Sequence, residues 1–434
     1  MLKRYSLTIL TLLIFAVGAF AQATVAVATG LDEGATRRTA AFEKVWNTIN
    51  ERHYDPTFGG VDWQGVRTKY EPLARKAETD DVLHALLRQM LGELKLSHFG
   101  IFPKGLSADE MAKAIGTVGI DIVYFDGAAV VDRVELGSAA AKAGIVPGFI
   151  LTKIEERSVR SIVDEFDATQ RGRSLTEAMR TVYRERLLES RLNGKPGTSL
   201  DAEFADAKHA AVKVKLSRTE FRGEMSQPFG NFPPQPVIFE SRLIDGNIGY
   251  IRFNMWIVPQ MAKLREAVRE FSGANGLIVD LRGNPGGIGG MASGLAGMLV
   301  TEEFSLGVMR TRESSIAFIA YPQPKPFNGP IAILTDHGSG STSEVFAAGM
   351  QESGRAKVIG ETTAGAVLPS VFDTLPTGAI FQYAVSDYRS PKNILIEGRG
   401  VFPDITVARS RSAMLAGRDA QLEKAIEYIN ANRK

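Results

Sequence analysis

Two short stretches of this sequence carry the residue types that acyl-transfer chemistry needs. In the first, Ser339-Gly340-Ser341-Thr342-Ser343-Glu344 follows the apolar run 330–335 and precedes a helical pattern over 343–352. A strand, a turn of small residues and a helix present a serine at a helix N-terminus. There, unpaired amides and the helix dipole favour negative charge developing near the hydroxyl. The same residues also read as a capping box, with Ser341 closing the helix and Glu344 reaching back. In the second stretch, the apolar run 276–280 ends in Asp280-Leu281-Arg282-Gly283-Asn284-Pro285-Gly286-Gly287. Lacking a Cβ, Gly286 and Gly287 let backbone N–H groups approach an oxyanion closely, and 289–300 reads as a helix aimed at the same point. An ordinary strand-exit turn fits these residues too. Gly287-x-Gly289-x-x-Ala292 matches a dinucleotide fingerprint loosely, but that turn belongs to an early βαβ unit with its glycines directly after the strand.

Composition narrows the chemistry further. The chain has 434 residues, enough for about two to three domains, and its 44% hydrophobic and 23% charged residues are ordinary for a globular protein. A formal net charge of +2 gives no electrostatic reason to expect nucleic acid as a partner. Cysteine is absent, which excludes disulfides, thiolate metal sites and a cysteine nucleophile. The five histidines, His53, His84, His98, His209 and His337, form no metal-binding pair at helical spacing, so neither a metal nor another cofactor is expected.

At the N-terminus Lys3 and Arg4 precede the apolar run from Leu7 to Phe20, which ends in Ala19-Phe20-Ala21. This pattern predicts a signal peptide over 1–21 and export to the periplasm or beyond the cell, the mature chain starting near Gln22. The run is shorter than the ~20 residues a span needs, so no stable membrane span is expected after cleavage. No cysteine follows it to carry a lipid.

The elements that must position the two motifs are legible along the rest of the chain. Residues 22–35 are small and polar and are expected to be irregular. Over 36–104 the spacing of Phe42, Val45, Trp46 and Ile49, and again of Val82, Leu83, Leu86, Leu87 and Met90, predicts a helical N-terminal domain. From 107 to 222 the texture changes to short strands and turns, with a helical insertion near 175–192. Gly116-Thr117-Val118-Gly119, the alternating run 129–134, the small helix 138–144, the Pro147-Gly148 turn and the run 150–154 resemble a PDZ domain. The resemblance implies that Gly116, Thr117, Val118 and Gly119 hold a peptide's terminal carboxylate. Phe149 departs from it, standing where such domains carry Asp. Over 238–411 strands and helices alternate, predicting an α/β domain with a largely parallel sheet, and 412–434 forms a closing helix.

Taken together, the glycine turn, the Ser-x-Ser-x-Ser-Glu motif some fifty residues later, Gly360-Glu361-Thr362 and the closing run Glu397 to Ile405, all behind a PDZ-like domain, resemble the tail-specific (C-terminal processing) protease family. The resemblance covers the chain from about residue 40. It implies a crotonase-like (ClpP-like) catalytic domain, Ser341 as nucleophile, and an oxyanion hole from Gly286, Gly287 and Thr342. Members with a Ser–Lys dyad carry lysine 25 residues after the serine, yet position 366 here is Ala366. A second branch, similar to tricorn protease and retinoid-binding-protein-like members, uses histidine with a carboxylate. Its pattern implies His98 as general base and Glu397 as the carboxylate orienting it, with Ser97 bridging them. His337, four residues before Ser341, and Lys392 are the other bases the sequence offers. The expected activity is that of an exported serine endopeptidase taking polypeptide substrates by their free C-termini. The rival is a catalytically silent PDZ-containing binding protein of the same fold.

Overall fold

The recurrence of Phe42, Val45, Trp46 and Ile49 places these side chains on one face of a long helix, α1 (Ala19–Arg52). The computed structural model describes residues 19–104, 110, 116–170, 175–221, 223–229 and 232–433, so the expected signal segment lies, up to residue 18, outside the described residues. Residues 22–35, expected to be irregular, continue α1 instead, since their alanines carry high helix propensity. Asp62 and Thr79 cap α2 (Trp63–Arg75) and α3 (Asp80–Gly92) by accepting N–H bonds from Gly65 and Val82. The buried face of α1 packs on Trp63 and Tyr70 of α2 and on Leu83, Leu87 and Met90 of α3. That core also contains Phe381 and Tyr383, because a short strand after α3, Gly100–Phe102, pairs with Ile380–Ala384 of the distant C-terminal region. Among the described residues no helix is long and apolar enough to cross a membrane.

A second core lies in the middle of the chain. The strands β1 (Ile120–Phe125), β2 (Ala128–Val134), β3 (Ile150–Ile154), β4 (Ser199–Ala205) and β5 (Ala211–Ser217) follow one another across an antiparallel sheet. The helix α4 (Glu177–Leu192) lies along β1 and buries Leu188 and Leu192 against Ile120, Ile122, Val131, Leu151 and Phe204. Phe149 packs on this core, which accounts for an aromatic residue at that turn.

The third region is a six-stranded sheet in the order β6 (Phe239–Ile244), β7 (Ile248–Phe253), β8 (Gly276–Asp280), β9 (Ile331–Thr335), β10 (Lys357–Gly360) and β11 (Ile405–Thr406). Only β6 runs antiparallel to its neighbour. Every residue of β8 and β9 is buried, as parallel strands covered on both faces must be. Alternate residues face opposite ways. Leu277, Val279, Ile331 and Ile333 pack under α5 (Val258–Glu270), α6 (Gly290–Gly297) and α7 (Thr342–Glu352). Ile278, Ala332 and Leu334 meet Ala425 and Ile429 of α8 (Ala420–Asn432). With both faces covered, the crevice for a ligand lies beyond the C-terminal ends of the strands. There β8 runs into 281–289 and β9 into 336–341, so the two motifs meet.

Candidate active site

Ser341 stands at the junction of the β9 turn with α7, with φ 53° and ψ −117°. This left-handed region is sparsely occupied by residues with a side chain, and strain of this kind persists only where the surroundings hold it. Here they do. The Ser341 N–H donates to the Ala366 carbonyl at 2.8 Å and to Glu344 Oε2 at 3.0 Å, while the Ser341 carbonyl accepts the Glu344 N–H at 2.8 Å. Glu344 therefore makes the return half of a capping box, as its spacing suggested, and does more. It is fully buried and also accepts bonds from Thr363 Oγ1 (2.5 Å), Gly365 N (2.8 Å) and Ala366 N (3.0 Å). Burial pushes its carboxyl up to about 7 against these donors.

The glycine turn presses directly on the serine. A Cβ on Gly286 would lie 2.5 Å from Ser341 Cβ, and one on Gly287 only 2.2 Å from the Trp256 carbonyl. Both glycines have positive φ, 101° and 144°, which only glycine adopts without strain. Trp256 pins the turn from beneath. Its N–H donates to the Gly286 carbonyl (2.9 Å) and its carbonyl accepts the Ile288 N–H (2.8 Å). Its indole Nε1 donates to Ser343 Oγ (2.9 Å), which in turn donates to the Asn284 carbonyl (3.0 Å). Thr342 Oγ1 donates to the Gly287 carbonyl at 2.9 Å, so helix and turn move as one piece. The three expected oxyanion donors differ in one respect. The Gly286 N–H is engaged by Asn284 Oδ1 at 3.0 Å, which corrects the expectation that it points to substrate. Gly287 stays out of the Trp256 bridge bonds, and Thr342 is the first residue of α7, where helix amides lack an internal acceptor.

Ser97, His98 and Glu397 meet on the other side of the strap 365–367. Glu397 Oε1 accepts the Ser97 N–H (2.8 Å), and its Oε2 accepts the Ser97 hydroxyl (2.9 Å) and the Val367 N–H (2.9 Å). Ser97 Oγ lies 2.7 Å from His98 Nδ1. The strand Gly100–Phe102 brings this pair here from the N-terminal helices. Burial raises the Glu397 carboxyl and pushes the His98 imidazole down to about 4. The strap joins the two halves of the site: the Ala366 carbonyl holds Ser341, and the next amide holds Glu397. Ala366, at the position where dyad members carry lysine, serves through its backbone alone.

The other candidate bases lie elsewhere. Lys392 borders a cavity of about 420 Å³ with Gln351 and Glu352, at the far end of α7 from Ser341. His337 is close to Ser341 in sequence, but its Nε2 meets Glu185 Oε1 at 2.7 Å and its Nδ1 lies 3.4 Å from Glu361 Oε2. Burial opposes its charge, yet these carboxylates and Asp336 overcome it and raise its pKa to about 10, leaving no free lone pair at neutral pH. Arg282 is structural: it grips Asp280 and the α8 cap residue Asp419. Gly116–Gly119 lie in the middle region, where the Gly116 N–H donates to the Gly194 carbonyl (2.6 Å) and the Gly119 N–H to Thr117 Oγ1 (2.9 Å). On β1, the amides of Ile122 and Tyr124 donate to Glu189 Oε1 (3.4 Å) and Glu185 Oε1 (2.7 Å) of α4. Sequence reasoning missed Trp256, Asn284 and Asp336. Their signal is position alone, just after β7, inside the glycine turn and just after β9.

Comparison with known proteins relates the chain to peptidases. Residues 247–407 match Peptidase family S41 and residues 35–92 match the Tricorn protease C1 domain. The chain is 26% identical over 386 residues to a chloroplastic C-terminal processing peptidase of Tetradesmus obliquus, covering 86% of this chain and 78% of that protein. It is 24% identical over 402 residues to a carboxyl-terminal-processing protease of Synechocystis sp., covering 88% and 85%. The solved structure of a photosystem II D1 C-terminal processing protease superposes with a TM-score of 0.57 at 21% identity, over 90% of this chain and 97% of that one. Its likeness carries the fold, a mixed α/β architecture. With a serine turn, a glycine turn and matches along the length of the chain, the protein is a serine-type peptidase, and the proteins it resembles are tail-specific, carboxyl-terminal-processing proteases.

Proposed function

We propose that the chain is an exported endopeptidase that cleaves unfolded proteins or peptides by acyl-enzyme chemistry, with Ser341 as nucleophile and His98 as general base. The observation that carries this reading is the hydrogen-bonded series Glu397–Ser97–His98. An ionised Glu397 can only accept, so the Ser97 hydroxyl proton goes to it and Ser97 Oγ accepts from His98 Nδ1–H. That choice of tautomer leaves the Nε2 lone pair bare, the state a general base needs. Ser341 Oγ then attacks the scissile carbonyl as Nε2 takes its proton, and the Gly287 and Thr342 amides receive the oxyanion. The imidazolium returns the proton to the leaving amine. Water, deprotonated by the same nitrogen, next attacks the Ser341 ester and releases the carboxylate product.

The absence of lysine at position 366 and the Tricorn C1 match support a base from the histidine branch. We read the α/β region, 238–411, as crotonase-like, the region 107–222 as PDZ-like, and residues 36–104 as the helical N-terminal domain. In this reading a substrate's C-terminal tail adds along β1 with its carboxylate at Gly116–Gly119, displacing the Thr117 hydroxyl and the α4 glutamates from the amides they hold. The signal-like N-terminus supports export.

A fluorophosphonate tests the reading. It should label the parent at Ser341 and leave Ser341→Ala unlabelled and inactive on a denatured protein, at a stability cost of only ~1 kcal/mol. Activity surviving in Ser341→Ala would sink the assignment.

A further inference from the structure

Two ion-pair clusters tie the middle region to the turn that ends at Ser341. In one, Glu185 Oε1 of α4 accepts bonds both from the Tyr124 amide of β1 and from His337 Nε2, each at 2.7 Å. In the other, Arg409 donates through Nη1 to Asp132 Oδ1 of β2 and through Nη2 to Asp336 Oδ2, each at 2.6 Å. Asp336 Oδ1 accepts the Gly283 N–H at 2.8 Å and the Gly338 N–H at 2.9 Å. The first amide belongs to the glycine turn and the second to the serine turn. Side chains of Asp336 and Arg409 are 3% and 6% exposed, and those of Asp132, Glu185 and His337 between 12% and 14%.

Buried ion pairs are weak evidence for stability, since desolvation offsets much of their attraction. Their geometry is nonetheless demanding, and this geometry spans the two turns that build the peptidase site. We propose that Glu185 and Asp132 are positioning residues for the peptidase site: from the middle region they hold His337 and, through Arg409, Asp336, so that the serine turn and the glycine turn keep their register only while that region is docked. The proposal rests on Ser341 being the nucleophile. Neither residue reaches the reacting atoms.

The arrangement has a pH signature. His337 faces Glu185 from α4, Glu361 from the end of β10 and Asp336 from its own turn. Beyond these carboxylates lie the Arg409 guanidinium, paired with Asp336 and Asp132, and the neutral Gln421 amide, 3.5 Å from Glu361. The ring stays charged to about pH 10. Its folded value exceeds its unfolded one, so the clamp is complete below the ordinary 6.5 and is lost as pH rises through the folded value. Glu185→Gln keeps the hydrogen-bond acceptor and removes the charge, lowering that folded value by about one to three units.

The test measures kcat and KM of the full chain on one unstructured peptide from pH 5 to 10.5, with the fluorophosphonate labelling rate at Ser341 as a substrate-independent readout. For Glu185→Gln, we expect the alkaline limb of kcat and of labelling to move down by about one unit or more. At pH 10, kcat should fall about fivefold or more with KM little changed. Asp132→Asn should lower kcat without moving the limb. If Glu185→Gln does not fold, Glu361→Gln removes another carboxylate facing the same ring and should move the limb in the same sense. Superimposable pH profiles, with only the melting temperature lowered, would overturn the proposal in favour of a structural role. A parent that labels elsewhere than Ser341 would instead refute the nucleophile reading, and the proposal would fall with it.

Discussion

Glu397 grips Ser97 twice, accepting its backbone N–H at 2.8 Å and its hydroxyl at 2.9 Å. The two residues are 300 positions apart in the chain. A serine held so tightly has one hydroxyl proton and one place to send it, which leaves its oxygen to accept from His98.

Removing that link should be costly but not lethal. Ser97→Ala leaves Nδ1 without its partner and frees the ring to adopt the other tautomer, so kcat/KM should drop by about 10- to 100-fold. Glu397→Gln should lose a similar factor, and the double variant little more than either alone, because residues acting as a unit are not additive. Steady-state kinetics of the three variants on one peptide checks this. Fully multiplicative losses would show that Ser97 and Glu397 act separately.

The acid limb should lie lower than an ordinary histidine would place it. Burial pushes His98 down to about 4, so the neutral, proton-accepting ring persists into acid. A profile of kcat/KM should stay level to at least about one unit below the usual 6.5. The sign for stability is opposite. The unfolded chain takes up the proton first, so this group removes stability as pH falls from 6.5 towards 4. His98→Gln should abolish activity and flatten that part of the stability–pH curve. A limb centred at 6.5 in the parent would show that the ring is well solvated or stabilised in its charged form.

Gly287 should tolerate no side chain. A methyl group there would stand 2.2 Å from the Trp256 carbonyl at a φ of 144°. Gly287→Ala should therefore cost about 2 kcal/mol or more in denaturant unfolding, from strain and overpacking together. Fluorophosphonate labelling should also slow by about 10²-fold, the loss expected when an oxyanion amide moves out of place. Gly273→Ala, at a glycine with open space around its Cβ, provides the control. Equal behaviour of the two variants would contradict the packing described here.

Much of this protein was legible in its residues alone, for a local reason. The runs 248–253, 276–280 and 357–360 are strands over just those residues, because buried parallel strands need continuous apolar sequence. Ser341 and the glycine turn were legible for the same reason: each lies where a strand hands over to a helix, and small residues and glycines mark such turns. The base was not. His337 is near Ser341 in sequence, but the tertiary structure surrounds it with three carboxylates and fills its lone pairs. His98 reaches the site only because α1–α3 share a core with Phe381 and Tyr383, and because Gly100–Phe102 pairs with Ile380–Ala384. The role of the Gly286 amide was likewise hidden, since Asn284 claims it through a side chain whose direction no spacing reveals. Periodicity and turn chemistry report on neighbours along the chain. Which histidine stays neutral, which amide stays free and which carboxylate reaches across between distant parts of the chain depend on burial and long-range pairing, and those exist only once the chain has packed.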